Sequence, residues 1–318
     1  MNGIRMLSIV VPTYNEEENV RPLYTQLKET LNQLKTDHEI IFIDDGSSDK
    51  TFNILEELAS GDKFLKVIKF KRNFGQSAAI SAGFRYARGD VIITLDADLQ
   101  NNPADIPKLL KKLEEGYDVV CGWRKERDDP LFRKKIPSNV SNWLASKISG
   151  LEIHDFGCTL RVYRKEVVKD LKLYGELHRY IPALAKNDGY SVTEVEVSHQ
   201  RRKKGKTKYG ISRLFKGTSD LITLSFIEKF GSRPGHVFSS SGMLVFGLGI
   251  LLLASLVAYD IYDPSFNLPN RTLLFISILM LLSGIQFITI GVLSEMITRI
   301  RYEVMNKKFY KIKKIINQ

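Results

Sequence analysis

The sequence predicts an α/β domain with a mainly parallel sheet, followed by two helices that cross a membrane. Short apolar runs alternate with helical patterns over residues 1–210, which is typical of parallel sheets covered by helices on both faces. Two long runs without any charged residue follow closer to the C-terminus. The chain therefore combines a globular part with a membrane-embedded part.

Five apolar segments are typical of strands that are buried on both faces. Four segments with helical spacing lie between or after them, and Asp49 and Pro103 suit the beginnings of two of these helices. In such sheets, ligands bind beyond the carboxyl ends of the strands. The predicted strands are Leu7–Val11, Glu39–Ile43, Lys66–Phe70, Val91–Leu95 and Asp118–Cys121, and the predicted helices cover about 17–35, 50–59, 76–87 and 103–115.

The uncharged runs are Val237–Ala258 and Thr272–Ser294. Each is longer than the roughly 20 residues that a helix needs to cross a bilayer. Basic residues precede the first run and follow the second, and such flanks stay on the cytoplasmic side. Met6–Val11 is too short to be the apolar part of a signal peptide. We therefore expect a protein of the cytoplasmic (plasma) membrane whose domain and two termini are cytoplasmic.

The composition narrows the class of partner. The chain has 318 residues, a net charge of +11 and a pI near 9.4, which favours a polyanionic partner such as a phosphate-bearing substrate or an anionic membrane. Cys121 and Cys158 lack C-x-x-C spacing, which argues against a disulfide scaffold or a zinc module. The basic run 201–208 would serve phosphate and anionic lipid. It lacks interleaved aromatic residues, so we expect no nucleic-acid partner.

Acidic residues follow the strand Val91–Leu95 directly, in the sequence Asp96-Ala97-Asp98-Leu99-Gln100. On extended chain, side chains two residues apart point the same way, which would group Asp96, Asp98 and Gln100. Two carboxylates and an amide oxygen suit Mg²⁺ or Mn²⁺. A solvated turn without a metal is the alternative.

Two earlier strands also end in polar motifs. Asp44-Asp45-Gly46-Ser47-Ser48-Asp49 offers a carboxylate that can accept from the N–H groups of uracil or guanine, and Pro12-Thr13-Tyr14-Asn15-Glu16 offers a ring and another acid. A capping turn is the alternative for the first of these motifs. The sequence has no G-x-G-x-x-G and no Walker lysine loop, which argues against dinucleotide enzymes and P-loop ATPases.

The three strand-end motifs, in this order, resemble the inverting nucleotide-sugar glycosyltransferases of the GT-A fold, family two. Further motifs resemble the polyprenyl-phosphate branch, which includes dolichol-phosphate mannose synthase and the bacterial bactoprenol glucosyltransferases. Relatives often have Gly-Ser-Arg where this chain has Gly122-Trp123-Arg124. The further motifs are Arg72-Asn73-Phe74-Gly75, Gly122-Trp123-Arg124, Asp155–Arg161 and Arg202–Tyr209.

The resemblance implies a role for each matched residue. Asp45 would read the base, Asp96 would face the ribose or the sugar, and Asp98 with Gln100 would bind Mg²⁺ or Mn²⁺ on the diphosphate. The acceptor phosphate is mostly dianionic at pH 7 and needs no general base, so Asp155 would position or tune other groups. The nucleotide-sugar residues would be Pro12, Tyr14, Glu16, Ile43, Asp45, Asp96 and Ala97; the catalytic residues Asp155, Asp96 and Arg124; and the phosphate-binding residues Arg124, Arg202 and Lys208.

The predicted reaction moves a sugar, with inversion at C1, from a nucleotide donor to polyprenyl phosphate at the cytoplasmic face. UDP-glucose is the preferred donor, and GDP-mannose or the UDP donor of a modified arabinose stay open. A membrane protein that binds a nucleotide sugar without catalysis is the alternative. Glycine-bearing helix faces would permit a homo-oligomer.

The predicted segments are a catalytic domain (1–210), an amphipathic juxtamembrane segment (211–235) that lies on the bilayer or packs on the domain, two transmembrane helices (236–295; about 237–259 and 272–294), and a basic cytoplasmic tail (296–318).

Overall fold

The first five strands form where the sequence predicted them, to within two residues at each end. The structure is a computed structural model, and it describes residues 4–125, 146, 150–171, 173, 177–199, 234–262, 271–304 and 310–317. The strands are β1 (Met6–Thr13), β2 (Asp37–Asp44), β3 (Leu65–Phe70), β4 (Val91–Thr94) and β5 (Val119–Trp123), and the helices between them are α1 (Val20–Leu34), α2 (Thr51–Gly61), α3 (Gln76–Tyr86) and α4 (Ile106–Glu114).

Three described strands lie outside the predicted pattern. They complete an eight-stranded sheet of order β7-β5-β6-β4-β1-β2-β3-β8. β6 runs antiparallel between β4 and β5, and β8 runs antiparallel to β3, while the remaining pairs are parallel. The added elements are β6 (Arg161–Arg164), α5 (Lys165–Asp170), α6 (Ile181–Asn187), β7 (Val192–Glu196) and β8 (Ile312–Ile316).

Helices cover both faces of the sheet, as the alternation of elements predicted. On one face, Gly83 of α3 lies so close to β1 that an added Cβ would be 2.2 Å from the side chain of Val10. On the other face, Ile9 and Phe42 belong to a core cluster with residues of α1, α2 and α4 such as Leu27. The predicted site motifs follow the carboxyl ends of the parallel strands β1, β2 and β4.

A buried ion pair lies at the opposite, amino-terminal end of the strands. Lys66 and Glu39 are each about 5% exposed or less, and Lys66 Nζ lies 3.4 Å from the Glu39 carboxylate. Glu39 also accepts from the hydroxyl of Ser8 (2.7 Å) and from the backbone N–H of Arg88 (2.6 Å). Lys66 donates to the carbonyl of Tyr86 at the end of α3. These bonds compensate for removing both charges from water.

We expect Glu39→Ala to lower the free energy of unfolding by about 3–5 kcal/mol, because it leaves Lys66 buried without its counter-charge. Thermal unfolding in detergent, followed by circular dichroism, should show the midpoint falling by roughly 6–20 °C. The matched control is Glu57→Ala, since the Glu57–Arg21 pair is more than half exposed and should contribute below about 1 kcal/mol. Equal midpoints for the two variants would contradict a stabilising role for the buried pair.

The C-terminal segment differs from the basic tail that we expected over 296–318. The structure divides into two units, residues 1–223 with 309–318 and residues 224–308. The chain therefore returns to the first unit, where Ile316 pairs with Val67 and Lys314 with Lys69. The side-chain amide of Asn317 also donates to backbone carbonyl oxygens of the first unit, those of Ala59, Asp62 and Leu65.

The described residues of the second unit form two long helices, α7 (Pro234–Tyr262) and α8 (Arg271–Val304). The spans Phe238–Tyr262 and Thr272–Ser294 have mean hydropathies of 2.3 and 2.4, and only 17% and 11% of their most apolar stretches are buried, unlike the core helix of a soluble protein. An added Cβ on Gly284 would lie 2.6 Å from Phe246, so small residues allow the two backbones to touch. Residues 211–233 of the predicted amphipathic segment 211–235 lie outside the described residues.

Candidate active site

The loops that follow β1 and β2 are joined into one rim by hydrogen bonds. The backbone N–H of Asn15 donates to Ser47 Oγ (2.9 Å), and the side-chain oxygen of Asn15 accepts from the N–H of Ser48 (2.8 Å). The N–H of Glu16 donates to Thr51 Oγ1 (2.8 Å). Asn15 has a φ of 51°, a left-handed conformation that asparagine tolerates well. Two of the three predicted motifs therefore form a single structural feature.

Asp45 lies at the end of β2 and holds the β3–α3 loop (Lys71–Gly75). Its carboxylate accepts from the backbone N–H groups of Phe74 (2.7 Å) and Gly75 (2.9 Å). Burial raises the pKa of Asp45 to about 6, although these two N–H groups act in the opposite direction. The loop approaches closely because Gly46 has no side chain, since an added Cβ there would lie 2.4 Å from the carbonyl carbon of Arg72.

Asp96 is tied to α3 and to the segment before β6. It accepts from the side-chain amide of Gln76 (2.7 Å) and from the hydroxyl of Thr159, which in turn accepts from the side-chain amide of Asn101 (3.0 Å). Burial raises the pKa of Asp96 to about 7, and the nearby charge of Asp98 adds to the rise. Gln76 and Thr159 were not assigned a role from the sequence, because their contacts join residues far apart in the chain.

The segment Asp96–Gln100 is not extended, which corrects the premise on which its three polar side chains were grouped. β4 ends at Thr94, a turn covers Ala97 and Asp98, and Leu99 adopts a left-handed φ of 61°. The N–H of Gln100 donates back to Asp98 Oδ1 (3.2 Å). Within the described residues, no three Asp, Glu, His or Cys side chains converge as a metal site. Asp96 and Asp98 would thus supply at most two carboxylates.

Arg124 and Asp155 form a buried bidentate pair. Arg124 Nε donates to Asp155 Oδ2 (2.7 Å), and a terminal nitrogen donates to Oδ1 (3.0 Å). Asp155 is 2% exposed, and its Oδ1 also accepts from the N–H of Gly157 (3.0 Å). Burial alone would lower the pKa of Arg124, but the bond to Asp155 and the charge of Asp96 raise it overall, so Arg124 stays charged. Both oxygens of Asp155 are therefore engaged.

Trp123, which stands where relatives often have serine, contacts His154. The Trp123 ring stacks on His154, with centroids 4.3 Å apart and planes at 17°. The backbone N–H of His154 donates to the Glu194 carboxylate (2.8 Å), and its ring pairs with the same carboxylate. His154 is mostly exposed. These contacts fix the backbone immediately before Asp155.

The remaining predicted site residues fall into three groups. Pro12, Ile43 and Ala97 are buried in the sheet or the turn, and their contact with a nucleoside stays a prediction. Tyr14 and Glu16 are half-buried at the rim. Arg202 and Lys208 lie outside the described residues.

The described residues just before the basic run 201–208 lie beside the segment that follows the Asp96–Gln100 turn. His199 forms a bridge with Asn101, and the N–H of Ser198 donates to the carboxylate of Asp105 (2.9 Å). The last described residue before the basic run, His199, is therefore attached to the residue that follows Gln100.

The family model described as "Glycosyl transferase family 2" matches residues 8–172. The match covers more than half of the chain and contains all three strand-end motifs as well as Arg124 and Asp155. The chain belongs to glycosyl transferase family 2. The resemblance inferred from the motifs is thereby confirmed.

Two relatives of this family 2 glycosyltransferase match it along almost its whole length. It is 41% identical to the dodecaprenyl-phosphate galacturonate synthase of Rhizobium johnstonii, over 93% of this chain and 88% of that protein. It is 36% identical to the undecaprenyl-phosphate 4-deoxy-4-formamido-L-arabinose transferase of Proteus mirabilis, over 98% of this chain and 94% of that protein.

A solved structure confirms the fold of this glycosyltransferase. The glucosyl-3-phosphoglycerate synthase of Mycobacterium tuberculosis, crystallised with Mn²⁺, uridine diphosphate and phosphoglyceric acid, superposes with a TM-score of 0.55 at 18% identity, covering 70% of this chain and 78% of that one. The predicted GT-A architecture of a mainly parallel sheet with helices on both faces is therefore correct.

Proposed function

We propose that this chain transfers a sugar from a nucleotide donor to a polyprenyl phosphate at the membrane surface. The observation that carries the proposal is the arrangement of Asp96 beside the fixed Arg124–Asp155 pair, at the carboxyl edge of a sheet whose chain continues into two apolar helices. The relatives' names supply the acceptor class, since both names contain a prenyl phosphate. An acceptor with its tail in the bilayer requires an enzyme held at the membrane.

The donor nucleoside would bind across the rim formed after β1 and β2. Asp45 would accept from a base N–H, because a carboxylate has more acceptor sites than the two that Phe74 and Gly75 use. Tyr14 would stack on the base and Glu16 would meet polar groups of the nucleoside. Pro12, Ile43 and Ala97 would form the floor beneath them.

Asp98 and Gln100 would hold a divalent cation, with Asp96 facing the ribose or the sugar. The donor set fits a hard cation, since it consists of oxygen atoms and leaves positions for the oxygens of a diphosphate. Burial raises the pKa of Asp96 and the charge of Asp98 adds to the rise, and a nearby cation would offset both effects. When bound, Mg²⁺ or Mn²⁺ would neutralise charge on the diphosphate.

Arg124 would stabilise the negative charge that develops on the leaving diphosphate. Asp155 occupies only part of its guanidinium, and the remaining N–H donors can meet phosphate oxygens. The acceptor phosphate is mostly dianionic at pH 7 and attacks C1 without losing a proton, which inverts the configuration there. Asp155 would accordingly be a positioning residue, since both of its oxygens already accept hydrogen bonds.

Arg202 and Lys208 would bind the acceptor phosphate. Arg202 follows His199 by three residues, and three residues extend at most roughly 11 Å. Because His199 pairs with Asn101, this reach would allow Arg202 to meet a phosphate bound near the Asp96–Gln100 turn. The rest of the basic run would attract anionic lipid.

The relatives change the order of candidate donors. Their names specify galacturonate and 4-deoxy-4-formamido-L-arabinose, so we place nucleotide donors of these sugars ahead of UDP-glucose and GDP-mannose.

We further propose that the domain and β8 share the cytoplasmic side. Two spans return a chain to the side from which it left, and the pairing of β8 with β3 requires that return.

The deciding experiment uses the purified protein in detergent with polyprenyl phosphate and Mg²⁺ or Mn²⁺. Radiolabelled UDP-galacturonate, UDP-4-deoxy-4-formamido-L-arabinose, UDP-glucose and GDP-mannose are supplied separately. We expect label in the organic phase from one donor, and its loss when EDTA is added. Binding of a donor without transfer would contradict the proposal and favour the non-catalytic alternative.

A further inference from the structure

An aromatic contact joins the residue before β8 to the last residue of β3. The ring of Tyr310, just before β8, stacks on Phe70 with centroids 5.0 Å apart and planes at 17°. Phe70 in turn meets the ring of Phe74 edge-on at 5.7 Å. Tyr310 is 5% exposed and Phe70 is fully buried. A residue that follows both apolar helices is therefore part of the packing beneath the β3–α3 loop.

The same loop is the one that Asp45 holds. The N–H of Lys71, at its beginning, donates to the carbonyl oxygen of Lys311 (2.9 Å). At its end, the N–H groups of Phe74 and Gly75 donate to Asp45. The side chains between these two attachments are exposed, so the loop depends on its ends for a fixed conformation.

We propose that Tyr310 is a positioning residue for the nucleotide donor. By stacking on Phe70 it keeps Phe74 and Gly75 where their N–H groups orient the Asp45 carboxylate. This inference rests on the proposed role of Asp45 in binding the base. Without the stack, the loop samples other conformations. The donor affinity then falls in proportion to the fraction of time that the loop spends in the binding-competent conformation.

The test compares Tyr310→Leu with Tyr310→Phe in the full-length protein in detergent. Leucine keeps an apolar side chain in the space but removes the ring. Phenylalanine keeps the ring and removes only the hydroxyl, whose oxygen accepts a hydrogen bond from Arg85. For Tyr310→Leu we expect the donor KM to rise about 5–10-fold with kcat within about twofold, the size of effect that one aromatic pair supports. Tyr310→Phe should restore the donor KM.

Hydrogen exchange on peptides covering residues 71–76 gives a readout that needs no reaction. Tyr310→Leu should speed exchange there about tenfold, and Tyr310→Phe should not. Lys314→Ala is the control, because it removes the contact between β8 and Glu56 without touching the aromatic stack.

Three outcomes would overturn the proposal: unchanged exchange in Tyr310→Leu, an unchanged donor KM, or an equal effect of Lys314→Ala. Absence of transfer in the unaltered protein would count against the proposed function alone, since the exchange comparison would still decide whether Tyr310 holds the loop.

Discussion

Asp98→Ala is expected to lower kcat/KM for sugar transfer by roughly 10³-fold while the protein stays folded. Asp98 is half-buried, and its hydrogen bond with the Gln100 N–H lies within its own turn, so removing the carboxylate leaves the sheet intact. The loss should come from a cation that no longer binds to the donor diphosphate. Transfer into the organic phase measures the rate, and circular dichroism checks the fold.

Asp37→Ala provides a matched control, since it removes an exposed carboxylate from the opposite end of a strand. Its activity should equal that of the unaltered protein. If Asp98→Ala retained full, EDTA-sensitive activity, the cation would have to be held by other residues, and the assignment of Asp98 would be wrong.

The second large effect concerns the Arg124–Asp155 pair. Arg124→Gln and Asp155→Asn should each lower kcat/KM by roughly 10²–10³-fold. If Asp155 acts only by holding Arg124, the double variant should be no slower than Arg124→Gln alone, because residues in one network are not additive. Asp155→Asn keeps the volume of its side chain and Arg124→Gln keeps a polar side chain of smaller volume, which limits the structural loss in a buried site.

A general-base role for Asp155 predicts a different pattern. The two effects would multiply in the double variant, and Asp155→Asn would remove the acid limb of the pH profile of kcat/KM. Steady-state rates of the four proteins between about pH 5 and 9 distinguish the two roles. Melting curves establish that each variant is folded under these conditions.

The elements predicted from the sequence are those whose burial shows as an apolar run. β6 was missed because two of its four residues are arginines. Arg161 is nevertheless only 2% exposed, and its guanidinium donates to the carbonyl oxygens of Phe156 and His178. Such compensation depends on tertiary contacts that a single sequence does not display. β8 was read as part of a tail because Lys313 and Lys314 interrupt its three isoleucines, and Lys307, Lys308 and Lys311 precede it.

In the site, too, some features could be predicted from apolar runs and others depend on tertiary contacts. The position of Asp45 and Asp96 followed from their place directly after apolar runs, which the sequence displays. The hydrogen bond from Gln76 to Asp96 joins residues 20 apart, and the Arg124–Asp155 pair joins residues 31 apart. Residue spacing says nothing about such contacts. The turn at Leu99 was also unpredictable, since leucine rarely adopts a left-handed conformation.

Because β8 pairs with β3, the sheet can be completed only late in synthesis of the chain. Ile312 is synthesised about 240 residues after its partner Phe70, which takes roughly 12–50 s at ordinary rates of translation. Throughout that interval the outer edge of β3 has unpaired backbone groups, a feature that invites aggregation. The nascent domain closes this edge only after both apolar helices have left the ribosome. If the two helices insert during synthesis, insertion precedes completion of the sheet, and a chain in which β8 does not pair keeps an open edge that a protease or chaperone can recognise.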